Sequence, residues 1–354
     1  MKKAGYIVLL ACLLATAAAC HRRPLHDMEE RITIKVTVDV DTVCNIGRYI
    51  YNDKIEKPST NTDMLRLFIC DPNTGRKIGE KFLENKSYDQ AGHQVFTDFL
   101  NISYGTFDFL VYNFDTANTL IKDDNEEKTV EAYTQVLTNA ERATIAGGTQ
   151  GTVLGDSPIS WQPDHLMVGR EQKVYIAPHT DMENVEMVAH TCINTYYIQI
   201  RVKGLRFVNS CNAVVTGLYS ANYFGRDAVS PWTVGERVGD PSTAVYFEMV
   251  KSTDGNIEDE NQDVLCALFN TFGKIEESNS DLLVTFNLMD TGGNRLQKTV
   301  NLNEVFRTED ALQRHWLLLS EIWEIDDPVP HPVNGGGFVP YVDDWDEEYG
   351  EIEL

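Results

Sequence analysis

Arg31-Ile32-Thr33-Ile34-Lys35-Val36-Thr37-Val38-Asp39-Val40 alternates polar and apolar residues from end to end. A side-chain period of two places Ile32, Ile34, Val36, Val38 and Val40 on one face, which is the pattern of a half-buried β-strand. The β-branched content suits an extended backbone. Outward from this strand the pattern recurs. Met64 to Asp71 reads as a second strand, closed by the turn residues Asp71-Pro72-Asn73-Thr74-Gly75, and Arg76 to Leu83 completes a hairpin. Gln94 to Ile102 and Thr106 to Phe114 follow, separated by Tyr104-Gly105, and Gln172 to Ala177 is a short strand stopped by Pro178. Further on, Ala189 to Gly204 alternates through Tyr196, Ile198, Ile200 and Val202. Asn212 to Tyr223, Thr243 to Val250, Val264 to Phe272, Asp281 to Met289 and Gln297 to Leu302 complete the set, with a hairpin turn at Asp290 to Asn294. Glu126 to Ile145, rich in Glu and Ala and ending at Gly147-Gly148, is the best helical region. The fold class expected is mainly β, as two tandem β-sandwich domains with one short helical insertion.

The amino-terminal residues carry a different signal. Lys2 and Lys3 precede an apolar run from Ile7 to Leu14, then small residues to Ala19, then Cys20. The run is too short to span a bilayer and has the layout of a secretory signal. A cysteine directly after the small residues is the arrangement of a bacterial lipoprotein, in which Cys20 becomes the acylated first residue of the mature chain. Ala17 stands where Leu or a similar residue is usual, and ordinary cleavage near Ala17 to Ala19 is the alternative. Acyl chains anchor through buried methylenes, at about 0.8 kcal/mol each. The organisation expected is a signal over 1–19, a tether over 20–30, domains over 31–180 and 184–325 with the acidic stretch 179–183 between them, and a Pro/Gly-rich acidic tail over 326–354.

The formal net charge is −24. So acidic a chain repels phosphate backbones and anionic headgroups, which argues against a nucleic-acid partner and leaves the lipid as the link to the membrane. Of seven cysteines, Cys12 leaves with the signal and Cys20 carries lipid. Cys44, Cys70, Cys192, Cys211 and Cys266 remain, an odd set at wide spacing that is not a disulfide framework. Cys192 and Cys211 are the nearest pair in the second half, but the set reads as buried free thiols.

No motif for catalysis, cofactor binding or metal ligation is present. Gly147 to Gly151 is glycine-rich but follows the expected helix and lacks a phosphate-binding lysine, so it reads as a loop. Asp164-His165 could be a buried polar pair or a base, and with no nucleophile in a recognisable frame the buried pair is the better reading. The acidic run Asp123 to Glu127 lacks the turn glycine of a calcium loop and reads as solvated. Trp161 and Trp232, beside prolines, could form a sugar platform or act as packing anchors. In the tail, Phe338, Tyr341, Val342 and Trp345 are aromatic and aliphatic anchors in an otherwise acidic stretch. The tail is either a solvated segment or one that adds a strand to a sheet edge, in this molecule or in a partner.

Several of these stretches together resemble the FimB-type fimbrial anchor and assembly lipoproteins of Bacteroidales. They are the signal ending in Cys20, the strand Ile32 to Val38 soon after it, and Trp161-Gln162-Pro163-Asp164-His165-Leu166-Met167-Val168-Gly169 ahead of Val174 and Ile176. The strand Tyr196 to Val202 and the endings Pro328 to Pro332 and Gly335 to Trp345 are also similar. The resemblance implies transthyretin-like, Greek-key sandwiches, no enzymatic activity and no cofactor. It implies an outer-membrane lipoprotein facing outward at the base of a fimbria, binding a stalk subunit by strand complementation. Cys20 is the residue whose role carries over. A non-catalytic surface lipoprotein that captures a glycan or a host protein is the alternative, and a surface hydrolase is a more remote third.

Overall fold

A computed structural model describes residues 31–40, 61–122, 124–144, 158–178, 182–226, 230–231, 242–252, 262–275 and 282–328. The opening decapeptide is strand β1 (Arg31–Val40), with Ile34, Val36, Val38 and Val40 wholly buried. Each such side chain contributes about 1.5–3 kcal/mol of hydrophobic stabilisation. β2 (Leu65–Cys70), β3 (Lys77–Leu83), β4 (Lys86–Tyr88), β5 (Gln94–Ser103) and β6 (Gly105–Asn113) follow. The chain then leaves this unit through β7 (Thr119–Lys122), β8 (Glu131–Thr134), helix α1 (Asn139–Thr144) and β9 (Ile159–Trp161), and returns as β10 (Met167–Ile176) and β11 (Asn184–Thr191).

These strands pair in the order β3-β2-β6-β10-β11-β1-β5-β4. β11 is the fold line. Its residues 184–189 run parallel to β1, while His190 and Thr191 pair with β10. The inward residues of both arms meet in one core, with Val36 and Phe96 from one arm and Leu67, Phe109 and Val111 from the other. An ion pair of 3.5 Å between Lys81 and Asp98 joins β3 to β5 at the open side. Two non-glycine residues among those described adopt positive φ: His315, at φ 58°, and Lys173, at a bulge in β10. There Lys173 adopts φ 54° and its N–H donates to the buried Asp108 carboxylate at 2.6 Å.

The second unit contains β12 (Asn194–Lys203), β13 (Val208–Tyr219), β14 (Ala221–Tyr223), β15 (Ser230–Pro231), β16 (Ser242–Glu248), β17 (Val250–Ser252), β18 (Gln262–Thr271), β19 (Leu283–Asp290), β20 (Arg295–Asn301), helix α2 (Glu309–Arg314) and β21 (Trp316–Glu324). One sheet has the order β17-β18-β12-β21 and the other β20-β19-β13-β16-β9. Between them lies the largest core, including Ile198, Ile200, Val215, Phe247, Phe269 and Phe286. The β19–β20 hairpin closes where expected, with the Asp290 carboxylate accepting from the Asn294 N–H at 2.7 Å.

Three expectations are corrected. The helix expected over Glu126 to Ile145 is, among the described residues, mostly extended chain. Glu131–Thr134 is strand β8, held between β7 and β14, because Val130 and Ala132 bury into a core and Glu131 pairs with Lys122 at 3.1 Å. Tertiary pairing overrides the helical propensity of Glu and Ala. Only α1 is helical. Its start is a capping box in which the Glu141 carboxylate accepts from the Thr138 N–H at 2.7 Å and the Thr138 hydroxyl accepts from the Glu141 N–H at 3.3 Å. Second, Ala189 to Gly204 is not one strand. It breaks at Cys192 and Ile193, where the Cys192 N–H donates to the Leu166 carbonyl and the Ile193 N–H to the Thr191 hydroxyl. Asn184–Thr191 therefore belongs to the first unit's ladder. Third, Gln172 to Ala177 is only the end of the longer β10.

A third core welds the units together. Phe68, Leu110, Tyr112 and Val168 meet Ile193, Tyr219, Phe224 and Phe272. The Tyr112 ring stands edge-on to Phe224 at 5.0 Å. The small sheet β15-β14-β8-β7 packs here too, and β9 joins the second unit by running parallel to β16.

Candidate functional site

The sequence-derived candidates for chemistry have structural work. The Asp164 carboxylate accepts from the backbone N–H groups of Ala117, Asn118 and Thr119, and so ties down the loop before β7. His165 is buried, with Nδ1 3.1 Å from the Thr191 hydroxyl and Nε2 3.4 Å from the Thr195 hydroxyl. Burial lowers its pKa, against the opposing charge of Asp164. On either side, the Asn113 side chain donates to the His165 carbonyl and accepts from the Met167 N–H, while the Asn270 side chain donates to the Pro163 carbonyl. Residues 162–167 are therefore a strap between the two sandwiches, which is what the Trp161 to Gly169 motif encodes. Trp161 meets Tyr246 edge-to-face at 5.5 Å and is half-buried, so it packs instead of offering an open sugar platform.

The acidic run is also engaged. Asp124 pairs with Arg66 at 2.9 Å, and the buried Glu127 accepts from Arg170 Nε at 2.9 Å. Among the described residues no group of three or more His, Cys, Asp or Glu could hold a metal ion, and no helix is long and apolar enough to cross a membrane. Cys70, Cys192 and Cys211 are free and buried, and Cys266 is buried with its thiol 3.7 Å from the Val250 carbonyl. Cys20, Cys44, the Gly147 to Gly151 loop, Trp232 and the tail anchors Phe338, Tyr341, Val342 and Trp345 lie outside the described residues.

The sequence did not single out the surface built on β3. This strand is the end of its ladder, and among the described residues no strand pairs with its outer side. At its start the Lys77 N–H donates to the Asn125 carbonyl at 2.9 Å, and beyond that point the strand is an edge of the kind an incoming extended segment uses. Ile78, Glu80 and Phe82 project from one face, with Ile78 58% and Phe82 38% exposed. Phe82 lies 5.9 Å from Phe114, itself 44% exposed. Arg66 lies against the rings of Phe68, Phe82 and Phe114 at 4.9, 5.7 and 5.4 Å. Its guanidinium and Lys77 hold the Glu80 carboxyl below its ordinary range through hydrogen bonds. The result is an apolar rim on a charged base, beside the strand that ends its ladder. The period-two pattern Ile78-Glu80-Phe82 was the available signal, but which strand ends a sheet cannot be read from a hairpin alone.

Three of the matches to known proteins bear on this chain. A family model described as a domain of unknown function (DUF5119) matches residues 83–234, under half of the chain. A protein of Bacteroides ovatus described as "Putative fimbrium anchoring subunit Fim4B" is 21% identical, over 99% of this chain and 97% of that protein. The crystal structure of a "putative adhesin" from Bacteroides ovatus superposes with TM-score 0.52 at 18% identity, covering 88% of this chain and 98% of that one. The resemblance to Bacteroidales fimbrial anchor proteins read from the sequence holds along the length of the chain.

Proposed function

We propose that this chain is a non-catalytic outer-membrane lipoprotein that anchors a fimbria or serves as a minor assembly subunit at its base. The single observation that carries this reading is the end-to-end similarity to a protein described as a fimbrium anchoring subunit. Acylation of Cys20 would hold it to the membrane, with residues 20–30 as the tether and the sandwiches facing outward. The sandwiches are read as transthyretin-like domains. A stalk subunit would bind by adding an extended segment to the outer edge of β3 beyond Lys77. Main-chain hydrogen bonds would then supply affinity, and the Ile78–Phe82–Phe114 rim would select side chains. The sheet-edge charges Lys77, Glu80 and Lys81 fit an edge protected against indiscriminate pairing.

Deletion of the gene from the native bacterium, followed by complementation, tests this. Wild-type protein should restore cell-bound fibres. The Ile78→Glu/Phe82→Glu variant should reach the membrane in equal amount yet leave fibres shed into the medium. Fibres that stay attached and normal in length in the deletion strain would overturn the anchoring role. Full rescue by the variant would overturn the choice of β3.

A further inference from the structure

We infer that the chain's own C-terminal segment covers the outer face of the sheet β17-β18-β12-β21, seating Phe338, Tyr341, Val342 and Trp345 there. The inner face of this sheet is the sandwich core, through Ile198, Ile200, Leu265 and Leu317. Alternation sends Tyr197, Gln199, Val264 and Cys266 to the other face, beside Leu268, Trp316 and Leu318. In a two-layer sandwich that face meets water and should be polar. Here Tyr197, Val264 and Cys266 are 0% exposed and Gln199 is 3% exposed. A side chain in the outermost layer reaches zero exposure only when something lies over it. The hydrophobic cluster on this face is drawn from β12, β18 and β21, and the strap 162–165 meets the face at its Thr195–Asn270 end. The rest of the cover is assigned to chain outside the described residues.

Position, length and chemistry pick the segment. β21 is an end strand of this same sheet, and just beyond it the Ile325 N–H donates to the Lys203 carbonyl at 2.9 Å. From there residues 329–354, about 26 in number, could span roughly 85 Å when extended, several times the width of a four-stranded sheet. The nearest rival is 253–261, which joins β17 to β18. It offers one aliphatic residue, Ile257, among Asp254, Glu258, Asp259 and Glu260. The tail instead offers Phe338, Val339, Tyr341, Val342 and Trp345. Its charge also fits. Residues 329–354 contain no Lys or Arg, and Arg201 stands opposite Val264 on the covered face. This inference does not depend on the anchoring role.

The test is a photo-crosslinking residue, p-benzoylphenylalanine, at position 341 of the full chain, in a mixture of isotopically light and heavy protein. The expected products are crosslinks within one chain, from 341 to peptides of β12, β18 or β21. Crosslinks only between light and heavy chains would mean that the segment serves a second copy and would overturn the inference. So would intrachain crosslinks confined to the other sheet. Alkylation of Cys266 under native conditions is the second readout. It should rise at least tenfold in a full-length Phe338→Asp/Tyr341→Asp/Trp345→Asp variant whose circular dichroism matches wild type, and unchanged protection in that variant would overturn the inference.

Discussion

His165 shows how one residue can imitate a catalytic signal while serving packing. Its ring is buried between Thr191 and Thr195, one from each unit, and burial lowers its pKa. His315 is lowered for the same reason. The unfolded chain holds its imidazoles near the ordinary value of about 6.5 and so binds more protons than the folded chain just below that pH. This contribution to stability is complete above about pH 6.5 and is lost as pH falls through and below it. The denaturant midpoint should drop between pH 7 and 5.5, and the drop should be smaller in His165→Gln. The thiols give a second prediction. Burial pushes Cys70, Cys192 and Cys211 up to about 12, so they should resist alkylation in the native protein and react on unfolding, as peptide mapping would show. A third concerns the weld between units. Glu127→Ala removes the buried carboxylate that pairs with the partly buried Arg170 and should destabilise the protein by roughly 1–3 kcal/mol in denaturant unfolding. Gly225 packs against the same stretch, and a Cβ there would lie 1.9 Å from the Glu127 carbonyl oxygen, so Gly225→Ala should also destabilise.

At the scale of elements, β1 was legible in full because its period, its composition and its burial all agree. Ile34→Ala should cost about 2–5 kcal/mol, whereas Thr33→Ala on the solvent face should change stability by roughly 0.5 kcal/mol or less, both read from urea unfolding. The hairpin turns at Asp71 to Gly75 and Asp290 to Asn294 were equally legible, since local turn chemistry decides them. Glu131–Thr134 was not. Its helical propensity is local, but the groups that make it a strand, β14 and the core around Tyr112, are distant in sequence. The break at Cys192 was hidden for a similar reason, because Leu166 supplies the acceptor that turns the chain. The β3 rim escaped notice because exposure is a property of sheet order. Alternation shows which residues share a face and is silent on whether another strand will cover the edge.

The whole molecule is two sandwiches fused through a third core, so force applied to one unit passes to the other through buried contacts and not through a flexible linker. That would suit the anchoring role proposed above. The strap at 162–167 and the β9–β16 pairing add connections across the same junction. In the proposed role, lipid at Cys20 holds this body, and through it a fibre, on the cell. The most direct measurement of this role is the partition of fibres between cells and medium in a strain whose only copy carries Cys20→Ser. Intact fibres should be shed into the medium with the protein at their base. Fibres retained on the cells as in wild type, with equal amounts of the unacylated protein present, would contradict it.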